Sequence, residues 1–193
     1  MQCLEVEEGY FSSGGYGAAR IACPPFTSTN ADNGLSIDLT HCLCKPGYAP
    51  ASADSLADPS TPASLLKRWL LLNPFYKNLQ DTQVCMLCGR RHYKGRVSAE
   101  ACLECPLNSF SSEYGPTDKS SCNMCLPGFY HTSNEDLPCG ECQANHFCVG
   151  SEPALEVLSP FAGDKVPCGE HTQTVEPNSQ NTDPFSCMYV TQQ

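Results

Sequence analysis

Apolar residues are spread thinly along most of this chain and bunch in one place. The run STPASLLKRWLLLNPF, residues 60–75, places Leu65, Leu66, Trp69, Leu70 and Leu72 on an apolar helical face broken by Lys67 and Arg68. Thr61 is suited to cap such a helix, Pro62 to its first turn, and Asn73-Pro74 to its end, so the pattern predicts a short helix here. An Ala/Ser/Asp/Pro stretch from residue 51 leads into it. Elsewhere the apolar positions come in short groups cut by Gly, Pro, Ser and Asn, which predicts brief hairpins and loops. No run of 18 or more apolar residues exists, so no membrane-spanning segment is expected in this chain.

Composition explains how so little apolar material can hold a fold. The 193 residues include 15 Cys, 14 Gly and 16 Pro, a balance that suits small loop-rich units held by cross-links. The cysteine spacings repeat. One loop type runs from Cys through Ser/Thr-rich turn residues to Cys: CPPFTSTNADNGLSIDLTHC (Cys23 to Cys42), CPLNSFSSEYGPTDKSSC (Cys105 to Cys122) and CGEHTQTVEPNSQNTDPFSC (Cys168 to Cys187). All three place Ser or Thr near the fourth and sixth positions after the first Cys. A second type follows Cys-x-x-Cys and carries an aromatic residue. CMLCGRRHYKGRVSAEACLEC (from Cys85) and CNMCLPGFYHTSNEDLPCGEC (from Cys122) share all four cysteine positions, with Tyr93 and Tyr130 in register. CLCKPGYAP, from Cys42, begins in the same way before the helical insertion separates it from Cys85.

Two chemistries compete for these cysteines. The sets 85/88/102/105 and 122/125/139/142 have spacings that suit tetrahedral zinc in an intracellular scaffold. Zinc, however, leaves Cys3, Cys23, Cys42, Cys44, Cys148, Cys168 and Cys187 unexplained, whereas disulfides account for nearly every cysteine with one rule. Joining each cysteine to the next across a loop pairs Cys23 with Cys42, Cys44 with Cys85, Cys88 with Cys102, Cys105 with Cys122, Cys125 with Cys139, Cys142 with Cys148, and Cys168 with Cys187. Cys3 is left unpaired or with a partner outside the chain. Crossed pairing within a unit fits the spacing equally well. Thioredoxin-like redox chemistry is not expected, because the pairs recur among turn residues and not at a helix start.

The stretch CPLNSFSSEYGPTDKSSCNMCLPGFY resembles the ephrin-receptor-like cysteine-rich repeat, roughly C-P-x-G-T-x-S…C-x-x-C-x-P-G-x-Y, which is related in style to tumour necrosis factor receptor and EGF-like modules. CQANHFCVGS resembles a companion element of multi-repeat surface proteins of protists, apicomplexans and ciliates among them. The resemblance covers 20–50 and 85–187. It implies an extracellular or cell-surface, elongated, non-enzymatic repeat segment of a larger protein. Gly169 after Cys168, and Gly89-Arg90 in place of Pro-Gly, depart from the pattern.

The fold class expected is therefore small and disulfide-rich, an elongated tandem array of short β-hairpin/loop modules with one short helical insertion. Its expected divisions are 1–50, 51–84, 85–142 and 143–193. MQCLEVEEGY lacks the basic and apolar regions of a secretory signal, which suggests a mature piece or an internal fragment.

A formal charge of −10 argues against a nucleic-acid partner. The five His are dispersed, and no catalytic or phosphate-binding motif is present, so neither enzyme activity nor a cofactor is expected. GYFSSGGYG (9–17) reads as a turn, and TNADNG (29–34), with Asp32 as its one carboxylate, as an Asx/Gly turn and not a calcium loop. Two surfaces remain as candidates for contact with another extracellular protein or with a second copy. One is the helix face at Leu66, Trp69 and Leu70. The other is the basic stretch GRRHYKGR (89–96), with Arg90, Arg91, Tyr93, Lys94 and Arg96, which also suits an anionic glycan. Adhesion or assembly is the leading function, with a structural spacer or extracellular filament subunit as the alternative.

Overall fold

The structure, a computed structural model, describes residues 6–14, 18–30, 36–151, 162–174 and 181–189. Cys3, Asp32 with most of the 29–34 turn, and part of the 9–17 stretch lie outside the described residues.

A single turn recurs seven times. The first cysteine of each disulfide (residues 23, 44, 88, 105, 125, 142 and 168) is followed by a β-turn. In each, the carbonyl one residue after the cysteine accepts the N–H four residues after it, as in Phe129 N to Leu126 O at 3.1 Å and Ser109 N to Pro106 O at 3.0 Å. Six of the seven place the third residue after the cysteine at positive φ, in the manner of a type II turn: Phe26, Gly47, Asn108, Gly128, Asn145 and His171. Gly is the residue that meets this demand without a steric cost, and Asn tolerates it better than most.

The Ser and Thr that mark the first loop type serve the same turn. At the fourth position the hydroxyls of Thr27, Ser109 and Thr172 donate to the carbonyls of Pro24, Pro106 and Gly169, at 2.6 to 2.7 Å. At the sixth position Thr29 and Thr174 are buried and accept the N–H of Gly9 and Asn145, each in the turn of a preceding hairpin. Buried hydroxyls thus supply hydrogen bonds that strands this short cannot.

Each turn opens a two-stranded antiparallel ribbon, and every strand pairs with its neighbour in sequence. β1 (Tyr10–Phe11) pairs with β2 (Ile21–Ala22), β3 (Thr27–Ser28) with β4 (Leu43–Cys44), and β5 (Tyr48–Pro50) with β6 (Cys85–Leu87). β7 (His92–Tyr93) and β8 (Leu103–Glu104) follow, then β9 (Ser109–Phe110) and β10 (Met124–Cys125), and β11 (Phe129–His131) and β12 (Cys139–Glu141). β13 (His146–Phe147) with β14 (Val166–Pro167) and β15 (Thr172–Gln173) with β16 (Met188–Tyr189) complete the series. Isolated ribbons of two residues a strand are not stable in water, so the cross-links are essential.

The seven disulfides are sequential: 23–42, 44–85, 88–102, 105–122, 125–139, 142–148 and 168–187. All eight cysteines that two zinc sites would need are consumed as disulfide sulfurs, which leaves no thiolate for the metal. Three closing cysteines are preceded by a short 3-10 turn capped by an aspartate four residues before them: Asp38 for Cys42, Asp118 for Cys122 and Asp183 for Cys187.

The chain divides into two compact units, residues 1–88 with 94–102, and residues 89–93 with 103–193. The first holds β1 to β6 and two helices, α1 (Ala53–Ala57) and α2 (Pro62–Leu70). Its apolar core joins Phe11, Leu39, Cys42, Leu70 and Tyr76, with Ile21, Cys23, Leu66 and Leu79 at the margin. The second unit, β7 to β16, is organised around its disulfides and buried Ser and Phe side chains. Gly150 is required there. A Cβ on it would lie 2.6 Å from the Pro127 backbone nitrogen, at a φ of +76°.

Candidate interaction surface

The helical insertion lies within the Cys44–Cys85 loop, and its local sequence sets its boundaries. Thr61 caps α2 by accepting the Ser64 N–H at 3.2 Å, with Pro62 in the first turn. Asn73 stops it by capping a 3-10 turn at Pro74–Tyr76, accepting the Phe75 N–H at 3.0 Å. Two side chains anchor the inner face. Leu70 is fully buried in the core of the first unit, and the Tyr76 hydroxyl donates to the Ala22 carbonyl at 3.0 Å, with burial pushing the phenol pKa up. Gln83 fastens the exit of the insertion by donating to the carbonyls of Leu39 and Cys42.

The outer face of α2 is left to solvent. Leu65 and Trp69, at i and i+4, share this face, and Leu72, just past the C-cap, is exposed as well, with Phe75 following in sequence. Trp69 is 61% exposed and Leu72 81%. Arg68 is exposed beside them, while Lys67 pairs with Asp81. An indole left this open on a helix whose opposite side is firmly seated has no role in holding the helix down. The expectation that Leu70 meets a partner is corrected: α2 turns it into the core, and Leu66 is half-buried against the same cluster. Of the three helix residues singled out from the sequence, Trp69 alone is open.

The basic stretch does not present its cations together. Arg90 folds back within the second unit, its Nε donating to the Ser111 carbonyl at 2.9 Å and its guanidinium lying 4.7 Å from the Phe110 ring centroid. Tyr93 is half-buried in β7 opposite Leu103, and Arg91 is exposed. Lys94, in the first unit, is 3% exposed, and its Nζ donates to the Ser98 carbonyl at 2.6 Å. Burial pushes that ammonium below the ordinary lysine pKa. This corrects its expected place on a contact surface. Arg96 is exposed and tied to Glu100 at 2.5 to 3.0 Å. An anionic glycan therefore finds no open row of charges in 89–96.

Among the described residues no group of three or more His, Cys, Asp or Glu side chains is placed to hold a metal ion, and no helix is long and apolar enough to cross a membrane. A polar cleft in the second unit, lined in part by Asp118, Asn134, Glu135 and Asp136, includes the Lys119–Asp136 ion pair at 2.6 Å in its lining.

Known proteins resemble the chain at two levels. Residues 75–122 match the family described as tyrosine-protein kinase ephrin type A/B receptor-like. Over 97% of its length the chain is 46% identical to a stretch of cysteine repeat modular protein A of Toxoplasma gondii, a stretch amounting to 6% of that protein. It is 28% identical, over 72% of its length, to 3% of a laminin subunit alpha of Drosophila melanogaster. It is also 32% identical, over 34% of its length, to 6% of ephrin type-B receptor 4 of Mus musculus. The chain thus spans less than a tenth of each of these relatives. The family match is confined to residues 75–122, whereas similarity to a cysteine repeat modular protein runs through nearly the whole chain, so the chain belongs among the cysteine-rich repeat segments.

Proposed function

We propose that this segment is a non-enzymatic extracellular repeat region that binds another protein through the outer face of α2. The exposed Leu65 and Trp69 on that face, with exposed Leu72 just past the helix, carry the reading. Tryptophan is the side chain most enriched among residues that dominate protein–protein binding, and monomeric surfaces seldom leave such a cluster uncovered. Seven disulfides suit an oxidising compartment, and a laminin subunit and ephrin receptors among the relatives suit the outside of a cell.

The test places Trp69→Ala with Leu72→Ser in the parent protein and compares its cross-linked complexes with those of the unaltered protein. Loss of a specific complex, with the disulfide-bonded mass preserved, is the expected result. An unchanged set of complexes would remove the α2 face from consideration. Sedimentation of the isolated segment separates the alternative: self-association that disappears in the double variant identifies a second copy as the partner and makes the segment an assembly subunit.

A further inference from the structure

We infer that the described residues 6–14 and 18–22 belong to an eighth repeat that no cysteine marks, closed by charge where the others are closed by a disulfide. Placed without gaps over residues 125–141, VEEGYFSSGGYGAARIA sets Val6 on Cys125 and Arg20 on Cys139, and a cysteine follows each segment, Cys23 and Cys142. The 14-residue separation is that of the 125–139 and 88–102 bridges.

The structure reproduces the opening turn of the repeat and its first backbone bonds. Tyr10 N donates to Glu7 O at 3.2 Å, as Phe129 N does to Leu126 O at 3.1 Å. Cys23 N donates to Gly9 O at 2.8 Å, as Cys142 N does to Gly128 O at 2.9 Å. Gly9 and Gly128 sit at φ +83° and +85°. β1 meets β2 with Tyr10 opposite Ala22, the register of Phe129 opposite Glu141. Two residues on, Ser12 N reaches Ser36 O at 2.9 Å, as His131 N reaches Gly163 O at 2.8 Å. These correspondences involve backbone only, and none follows from the cysteine pattern.

Arg20, at the position of the closing cysteine, takes over its task. Its Nη1 lies 2.6 Å from Glu7 Oε2, next to Val6, and its guanidinium lies 4.9 Å from the Tyr10 ring centroid. Arg20 and Glu7 are both largely exposed, so salt screens the clasp. The clasp itself holds no bond that a reductant breaks, and it responds to ionic strength. Its opening loosens the seat of α2, because Phe11 and Ile21 pack around Leu70 and the Ala22 carbonyl holds Tyr76. The inference stands apart from any partner at Trp69.

The test installs the absent bridge as Val6→Cys/Arg20→Cys in the full chain. Expected is one further disulfide, seen as a mass lower by two hydrogens and mapped between residues 6 and 20. Amide exchange at Tyr10 and Cys23 should slow by on the order of 100-fold. In the unaltered protein, raising salt from about 0.1 M to about 1 M, or Glu7→Gln, should speed exchange at those two amides roughly two- to five-fold and leave Phe129 and Cys142 unchanged. The repeat assignment is overturned if the new cysteines stay alkylatable, or pair with other cysteines, while the seven native bridges remain. The charge clasp is overturned if exchange at Tyr10 and Cys23 is insensitive to both salt and Glu7→Gln, a measurement that does not depend on the variant folding.

Discussion

Asn108 holds its turn at φ +63°, a conformation that costs most L-residues about 1–2 kcal/mol and glycine nothing. Asn108→Gly should therefore leave stability unchanged or raise it, while Asn108→Val should lower it by about 1–2 kcal/mol, read from denaturant unfolding of the oxidised protein. The aspartate caps can be tested by pH. Hydrogen bonds from the side chain and backbone of Thr40 hold the Asp38 carboxyl below its ordinary 3.8, and those of Ser120 do the same for Asp118. A carboxyl held low in the folded state stabilises it above the unfolded value, and that contribution is lost as pH falls through the folded value. The amides of Thr40 and Ser120 should accordingly titrate by NMR with midpoints below 3.8, and Asp118→Asn should abolish the response at Ser120 alone. Single residues were unevenly legible. The Ser and Thr at the fourth and sixth positions were visible as a pattern before their bonds were known. The burial of Lys94 was not, because it depends on the Ser98 carbonyl waiting in the fold.

α2 offers a direct contrast between its two faces. Leu70→Ala removes a fully buried side chain and should destabilise the first unit by about 2–5 kcal/mol. Trp69→Ala, one residue earlier, should change stability by no more than about 0.5 kcal/mol, since the indole is mostly in water. Urea unfolding of the two variants checks both values. The helix itself was readable from Thr61, Pro62 and Asn73-Pro74, since its boundaries depend on neighbours in sequence. Which leucines point inward was not, because the apolar positions wrap too far round the helix for period alone to choose a buried side. The same limit hid the eighth repeat. Cysteine spacing marks seven ribbons, while the eighth shows itself only in backbone bonds and a glycine at positive φ. Spacing also left crossed and sequential bridges open. Strand register separates them, since β11 and β12 set Cys139 opposite His131 and bring it to Cys125.

At the scale of the whole molecule, cohesion comes chiefly from sulfur and only locally from an apolar core. A reductant should abolish protease resistance throughout the second unit, whereas a chelator should leave circular dichroism and protease resistance unchanged at concentrations that strip zinc from thiolate sites.

Sequential bridges also decide what happens when the chain is pulled from its ends. Tension arriving at Cys44 passes through sulfur to Cys85 and bypasses the 41 residues of sequence separation between them. The insertion that carries Trp69 lies in that slack loop, so it stays folded and presented while the chain on either side bears load. Backbone outside the loops bears the load instead, among the described residues 18–22 ahead of Cys23. Cutting the 44–85 bridge would put the insertion directly in line with the force.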